Sequence, residues 1–263
     1  MRQRSNALLG LGLGLGLAGI ITVTLVATVL SPRVGAPVED AAARPESTPA
    51  PRWVAPATLP PSAEILSRAG VSGLVDLAWV AAVSAQSGIP ERALAAYAGA
   101  AIAKHAERPD CELGWNTLAG IGWVESRHGS HGGASTADDG TVSPPIIGIA
   151  LDGTATALIA DTDDGVIDGD TEFDRAVGPL QFIPGSWANW YVDASGDGIA
   201  DPHNIDDAAL AAANYLCRAV PTLGDEASWR AGISSYNAAD SYLDAVAIAS
   251  ERYADAAGAW ASR

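Results

Sequence analysis

Basic side chains are scarce in this sequence: 15 Lys and Arg stand against 31 Asp and Glu, a formal charge of −16. That balance excludes a nucleic-acid partner, because phosphate backbones are held by clustered Lys and Arg that displace counterions. Cysteine is nearly absent as well. Cys111 and Cys217 alone cannot build a four-cysteine zinc site or a disulfide-framework miniprotein. Histidine occurs at 105, 128, 131 and 203 and never in HExxH spacing, so a zinc hydrolase lacks its ligands. No G-x-S-x-G nucleophile elbow occurs, and neither cysteine sits in the context of a nucleophile. What is present is a chain of 263 residues, long enough for one or two domains with a core that needs no staples.

Residues 8–30, LLGLGLGLGLAGIITVTLVATVL, carry no charge and follow Arg2 and Arg4. At about 1.5 Å rise per residue they span about 34 Å, enough for a hydrocarbon core of about 30 Å. An uncleaved signal anchor is expected, with residues 1–7 cytoplasmic by the positive-inside rule and the remainder of the chain outside. Secretion after signal cleavage is the alternative, although Val34-Gly35-Ala36 followed by Pro37 is a poor cleavage site. Residues 31–62 hold eight of the sixteen prolines and little apolar periodicity, which predicts a disordered, extended linker. Residues 63–263 form the expected folded domain. In an exported chain a Cys111 to Cys217 disulfide is expected, two buried free thiols being the other reading.

Ala-rich stretches of period near 3.6 predict a mainly α domain with helices at about 64–69, 72–87, 90–107, 112–126, 184–191, 206–219, 226–236 and 239–256. Pro90 suits a first helical position, and Asp110 and Asp206 suit N-caps. Residues 129–178 are rich in Gly, Asp, Ser and Thr and read as a long ordered loop with at most one small hairpin. Acid is concentrated: residues 128–217 contain fifteen Asp or Glu and one base, Arg175. Like charge at that density opposes compaction unless something neutralises it. Asp193, Ser195, Asp197, Ile199 and Asp201 place oxygen ligands at positions 1, 3, 5, 7 and 9 of an EF-hand-like loop with Gly198 at 6, so a structural Ca²⁺ is expected there. Position 12 is Asn204 where a bidentate Glu belongs, and Asp207 is the expected closing ligand of a longer loop. The other reading is a solvated acidic turn. A second acidic run, Asp161 to Asp170, has the wrong glycine offset and reads as solvated.

One carboxylate stands out. Trp115, Leu118, Gly122 and Glu125 recur at spacings of three and four, so Glu125 continues a buried stripe near a helix C-terminus. Desolvation and the negative end of the helix dipole both favour its protonated form, which suits a general acid near neutral pH. A Glu paired with Arg127 or Arg175 is the bland alternative. Eight Trp and six Tyr against two Phe are compatible with a sugar cleft, with Trp123, Trp187, Trp190, Tyr191 and Tyr242 as candidate platforms and Trp79 and Trp115 as core.

Glu125-Ser126-x-x-Gly129 after an apolar helix, then Gly178-Pro-Leu-Gln181-Phe182-Ile-Pro184, then Tyr236-Asn237 at a helix end, resembles the lytic murein transglycosylases of the lysozyme-like superfamily. The pattern is most similar to the B-type branch, glycoside hydrolase family 103, and to its actinobacterial exported members, and covers about residues 65–255. The departures are the long insertion at 130–173 and Asn204 in the acidic loop. The resemblance implies a lysozyme-like helical domain that cleaves the β-1,4 bond between N-acetylmuramic acid and N-acetylglucosamine in peptidoglycan. Glu125 would be the single general acid/base, forming a 1,6-anhydromuramoyl end. Ser126, Gln181, Tyr236, Asn237, Trp190 and Tyr242 would line the substrate cleft. It also implies a monomer acting on glycan strands, with no organic cofactor. A muramidase hydrolysing the same bond with Glu172 or Asp174 as second carboxylate, and a non-catalytic wall-binding domain, are the alternatives.

Overall fold

The fold is dictated by alanine-rich helices that approach one another closely. In the computed structural model, which describes residues 53–154 and 156–261, α2 (Glu91–Glu107) is the central element, and Ala93 to Ala101 are buried without interruption. Small side chains let its neighbours come near. A Cβ on Gly99 would stand 1.9 Å from the carbonyl oxygen of Val71, so the 3-10 turn Val71–Leu74 rests directly on the α2 backbone. Around α2 pack α1 (Leu77–Ser87), α3 (Trp115–Ser126) and α5 (Ile205–Ala219), and α7 (Asp240–Ala261) packs along α3. The short α4 (Pro184–Trp190) and α6 (Glu226–Tyr236) flank α5. α3 is buried on every face from Trp115 to Gly122, as expected of a helix inside a bundle, and its buried Asn116 and Thr117 are hydrogen-bonded.

Two small antiparallel pairs interrupt the helices within the insertion, where a single hairpin was the most expected. β1 (Ser135–Thr136) pairs with β2 (Val142–Ser143), and β3 (Ile147–Ala150) pairs with β4 (Arg175–Val177). Cys111 and Cys217 form a disulfide that ties the 3-10 turn Pro109–Cys111 to the C-terminal end of α5.

Several expectations are corrected. Residues 64–69 form bends, not a helix, and Ile65 and Leu66 are 86% and 61% exposed. Six residues followed by Gly70 at φ 75 cannot offset the cost of nucleating a turn. Asp110 lies inside the 3-10 turn, and α3 begins at Gly114 without a side-chain cap. Pro90 is the residue before α2, not its first position. The cap of α5 is Asn204, whose Oδ1 accepts from the Asp206 amide at 2.9 Å. Asp206 is buried instead against Arg92.

The folded region also begins earlier than residue 63. Asn116 accepts from the Ala57 amide at 2.9 Å and donates to the Ala55 carbonyl at 3.1 Å, Val54 is buried, and Ser62 bridges to Val75. Residues 53–62, expected within the linker, therefore run along the helical body. The anticipated cytoplasmic segment 1–7, the anchor 8–30 and the rest of the linker lie outside the described residues. Among the described residues no helix is long and apolar enough to cross a membrane.

Candidate active site

Glu125 occupies the last turn of α3, half-buried, where the chain leaves the helix through Arg127 and His128, both left-handed at φ 56 and 62. Neither arginine that was considered as a partner takes it. Arg127 stacks over Trp123 at 4.0 Å, and Arg175 pairs with Asp170 at 2.8 Å. The partner is Tyr242 near the start of α7, whose hydroxyl donates to Glu125 Oε1 at 2.5 Å. Burial pushes the Glu125 carboxyl up to about 7, while the Tyr242 bond, which favours the ionised form, opposes that rise. The carboxyl is thus poised to give and take a proton near neutral pH. The Tyr236 and Tyr242 phenols are held well above their ordinary range by burial first and by the Glu125 charge second, so both remain hydroxyl donors.

Next along the chain from Glu125, Ser126 reaches Pro179, within a segment, 177–182, that closes on itself. Val177 and Phe182 exchange backbone hydrogen bonds of 2.8 and 3.0 Å, and Gln181 sits at φ 50, a conformation costly for a non-glycine residue. Gly178, at φ 75, allows this turn to press against the loop at Pro202: a Cβ there would lie 1.9 Å from the Pro202 carbonyl. The Gln181 amide donates to the Gly178 carbonyl at 2.9 Å, and its Oε1 faces Gly148 of β3. The insertion therefore forms one wall beside Gln181. Tyr236 fixes the other side of the turn by donating to the Leu180 carbonyl at 2.7 Å. Gln181, Phe182, Ile183, Tyr215 and Tyr236 border a groove of about 220 Å³.

The structure brings Glu125, Tyr242, Tyr236 and Gln181 into one neighbourhood. It does not bring all the expected residues there. Ser126 is 1% exposed, accepting from the Gly129 amide and donating to the Pro179 carbonyl at 2.6 Å, so it joins α3 to the Gln181 turn and cannot meet substrate. Asn237 is the C-cap of α6 and accepts from the Ala239 amide at 3.0 Å, turning the chain into α7. Trp187 is 4% exposed against Phe182, and the Trp123 ring carries the guanidiniums of Arg127 at 4.0 Å and Arg252 at 4.9 Å. Trp190 is one ring contact removed from the groove, 5.8 Å from Tyr215. Tyr215 itself was missed; its only sequence signal is a lone aromatic in the alanine-rich α5. Trp79 and Trp115 are core, in edge contact at 5.3 Å. Behind the helix end, His128 is enclosed by Tyr97 and Tyr253 and pushed down to about 3 by burial and the nearby guanidiniums, so it is a neutral strut.

The two carboxylates considered as partners lie elsewhere in the bonding scheme: Asp174 is fully buried with both oxygens bonded to Thr162, and Glu172 is exposed.

The acidic loop folds onto its own amides. Asp193 accepts from Gly196 and Gly198, Asp197 from Ile199, and Asp201 from His203. Ser195 Oγ donates to Asp193 at 3.2 Å. Asp207, the expected closing ligand, is fully buried and accepts from Ala194, Ser195 and Asp201 at 2.7 to 2.9 Å. It closes the loop as an amide clamp, with both carboxylate oxygens on backbone N–H groups. The remaining donors are hard oxygens of the kind Ca²⁺ takes, each with a lone pair left over, but they lack a bidentate closer. Among the described residues, the three carboxylates that converge within 4.8 Å are Asp161 and Asp163, in the run read as solvated, and Asp174 beyond it.

Residues 173–231 match the family described as Transglycosylase SLT domain. The matched segment holds the Gln181 turn, the acidic loop and α5, and it leaves out Glu125 on one side and Tyr236 on the other. No curated protein and no solved structure matches the chain. The helical architecture fits a lysozyme-like domain, and the matched family supports a peptidoglycan-cleaving lytic transglycosylase.

Proposed function

We propose that this protein is a B-type lytic transglycosylase, similar to glycoside hydrolase family 103, that cleaves the β-1,4 bond after N-acetylmuramic acid with Glu125 as its single acid/base. Glu125 first protonates the glycosidic oxygen. As a carboxylate it then accepts the proton of the muramoyl C6 hydroxyl, which attacks C1 and closes a 1,6-anhydro ring. The observation that supports this reading is Glu125, half-buried in the last turn of α3 and held by the Tyr242 hydroxyl at 2.5 Å, where burial raises its carboxyl to about 7. Hydrolysis with two carboxylates needs a partner about 5 to 9.5 Å away. Gln181 serves as a ligand for the sugar or its N-acetyl group, and Tyr236 holds the turn that presents it. Trp190 lines the cleft further out.

The test is digestion of purified peptidoglycan by the full chain, with mass spectrometry of the released muropeptides. Ends in 1,6-anhydromuramic acid are expected. Reducing ends would instead identify a muramidase, and no products at all would favour a non-catalytic wall-binding domain.

Because Tyr242 stabilises the ionised carboxylate, Tyr242→Phe is expected to raise the Glu125 pKa further and to move the alkaline limb of kcat/KM upward by about half to one pH unit. A limb that stays in place or moves down in a pH profile would show that Tyr242 does not set the proton affinity.

The same reading places the chain in the cell membrane through residues 8–30, as a monomer with its catalytic domain outside, secretion being the alternative. Ca²⁺ in the Asp193–Asp201 loop is part of the proposal, as a structural ion. A chelator is then expected to lower Tm by several degrees, about 1 kcal/mol or more for a domain of this size. Asp193→Asn is expected to remove that response. If Asp163→Asn removes it instead, the ion belongs to the Asp161–Asp174 cluster; an unchanged Tm means no ion is held.

A further inference from the structure

The insertion that walls the Gln181 groove gathers carboxylates that nothing balances. Asp161, Asp163 and Asp174 each bring an oxygen within 4.8 Å of the other two. Arg175, the one base between residues 128 and 217, is taken by Asp170 at 2.8 Å, and no ion pair among the described residues reaches the three. Asp174 is fully buried, and its donors are the amide and hydroxyl of Thr162, at 2.8 to 3.0 Å. Both donors are neutral, so that charge is hydrogen-bonded and not offset.

The cluster is more than an acidic surface. Asp163 turns Oδ2 to the Ile167 amide at 2.8 Å, while its Oδ1 exposes less than 1 Å² and has no hydrogen-bond partner. A buried acceptor left unpaired is costly, above all on a carboxylate. Asp161 spends Oδ1 on the amides of Asp163 and Gly165, at 3.1 and 3.2 Å, and keeps Oδ2 for another partner. Burial first, and then the charges of Asp168 and Asp161, push the Asp163 carboxyl above its ordinary range. A proton shared between carboxylates or a cation held by all of them would relieve such a group. A shared proton would satisfy Asp161 and Asp163 and leave the buried Asp174 charge unbalanced. Three hard oxygens with no sulfur or imidazole among them suit a divalent cation of the Ca²⁺ kind.

The place of the cluster gives an ion a task. Asp174 leads directly into β4, β4 pairs with β3, and Gly148 of β3 faces the Gln181 side chain. Gly185, in the first turn of α4, lies against the cluster: a Cβ there would stand 3.8 Å from Asp174 Oδ2. An ion joining Asp161 and Asp163 to Asp174 thus pins the outer loop of the insertion to the strand that supports the Gln181 wall.

We propose that Asp161, Asp163 and Asp174 hold a hard divalent cation, separate from the one proposed for the Asp193–Asp201 loop, and that it fixes the wall beside Gln181. Two of the three ligands are only half-buried, so a dissociation constant of about 10⁻⁴ to 10⁻³ M is expected, as in extracellular calcium modules. The test uses the full chain carrying Asp193→Asn to disable the loop, stripped of metal and titrated calorimetrically with Ca²⁺ at constant ionic strength. Saturable binding of a single ion is expected, with Tm rising by about 3 to 5 °C at about ten times the dissociation constant. Asp163→Asn, which keeps an acceptor for the Ile167 amide, and Asp161→Asn are each expected to weaken binding by at least about tenfold. Asp152→Asn, in the same insertion and outside the cluster, is expected to leave it unchanged. No saturable binding, or binding that survives both cluster variants, overturns the proposal. An equal loss in Asp152→Asn would mean diffuse attraction to an acidic surface and overturns it too. So does a Tm that rises on acidification and not with Ca²⁺, the mark of a shared proton. The role in the wall rests on the transglycosylase reading: in peptidoglycan digestion saturating Ca²⁺ is expected to lower KM about threefold with little change in kcat, and not in Asp163→Asn. A KM that stays in place while the ion binds overturns that role. If the chain digests nothing, the transglycosylase reading fails, and the titration alone decides the cation site.

Discussion

Glu125→Gln is expected to abolish cleavage and, above neutral pH, to make the protein harder to unfold. The first effect follows from the proposed role of Glu125 as general acid, whose removal costs at least about 10³-fold in kcat. The second follows from burial. The folded carboxyl titrates near 7 against an ordinary value of 4.5, so the folded state holds this proton more tightly than the unfolded state does. Between those values the folded state binds more protons, and stability falls as pH rises. Above pH 7 the buried charge costs on the order of 3 kcal/mol, and below pH 4.5 it costs nothing. Glutamine has nearly the same shape and no charge. Urea unfolding of the variant should therefore show a gain at about pH 8 that disappears at about pH 4. A catalytic group at odds with its surroundings behaves in this way, and a structural carboxylate in an ion pair would do the opposite. Near wild-type turnover, or destabilisation at both pH values, would sink the assignment of Glu125.

The position of Glu125 was legible as the one acid in an otherwise uncharged helix; the stripe Trp115, Leu118, Gly122 and Glu125 did not by itself single out a buried face, because every residue from Trp115 to Gly122 is buried. What surrounds Glu125 was not legible in the same way. Its hydroxyl partner, Tyr242, lies 117 residues further on, and no spacing rule connects them. Ser126 shows the limit of adjacency. One step along a helix turns the side chain by about 100°, from the Tyr242 hydroxyl toward the Pro179 carbonyl. Asp207 meets the acidic loop through the amides of Ala194, Ser195 and Asp201, a pairing across six to thirteen residues that the spacing of carboxylates alone does not report. Asn204 looked like a defect in a calcium loop. As the cap of α5 it is the residue the helix requires there. The helix expected at 64–69 failed for the opposite reason, since a short apolar pattern carried no information about the glycines at 70 and 73 that bring this chain onto its neighbours.

Asp206→Ala is expected to be the most destabilising single change outside the apolar core, because Asp206 holds the insertion to the helical body. Its carboxylate is 2% exposed and receives both terminal nitrogens of Arg92, at 2.8 and 2.6 Å, and the Ser72 hydroxyl at 3.0 Å. Arg92 in turn donates to the Asp138 carbonyl, while the Asn204 side chain and the Ile205 amide bond the Asp139 and Gly140 carbonyls. The first turn of the insertion is thus tied to the N-termini of α2 and α5, and the same insertion continues into β3 beside Gln181. Removing the carboxylate strands a guanidinium that is 10% exposed, a loss of about 3 to 5 kcal/mol. Replacing both partners, as in Arg92→Met with Asp206→Leu, leaves no orphaned charge and should cost far less. Urea denaturation of the single and double variants separates these cases. A single-variant loss below about 1 kcal/mol would mean that water already reaches the pair. If the tie is as described, the single variant at a temperature where it remains folded should also lose kcat/KM, because the wall that Gln181 faces is no longer held.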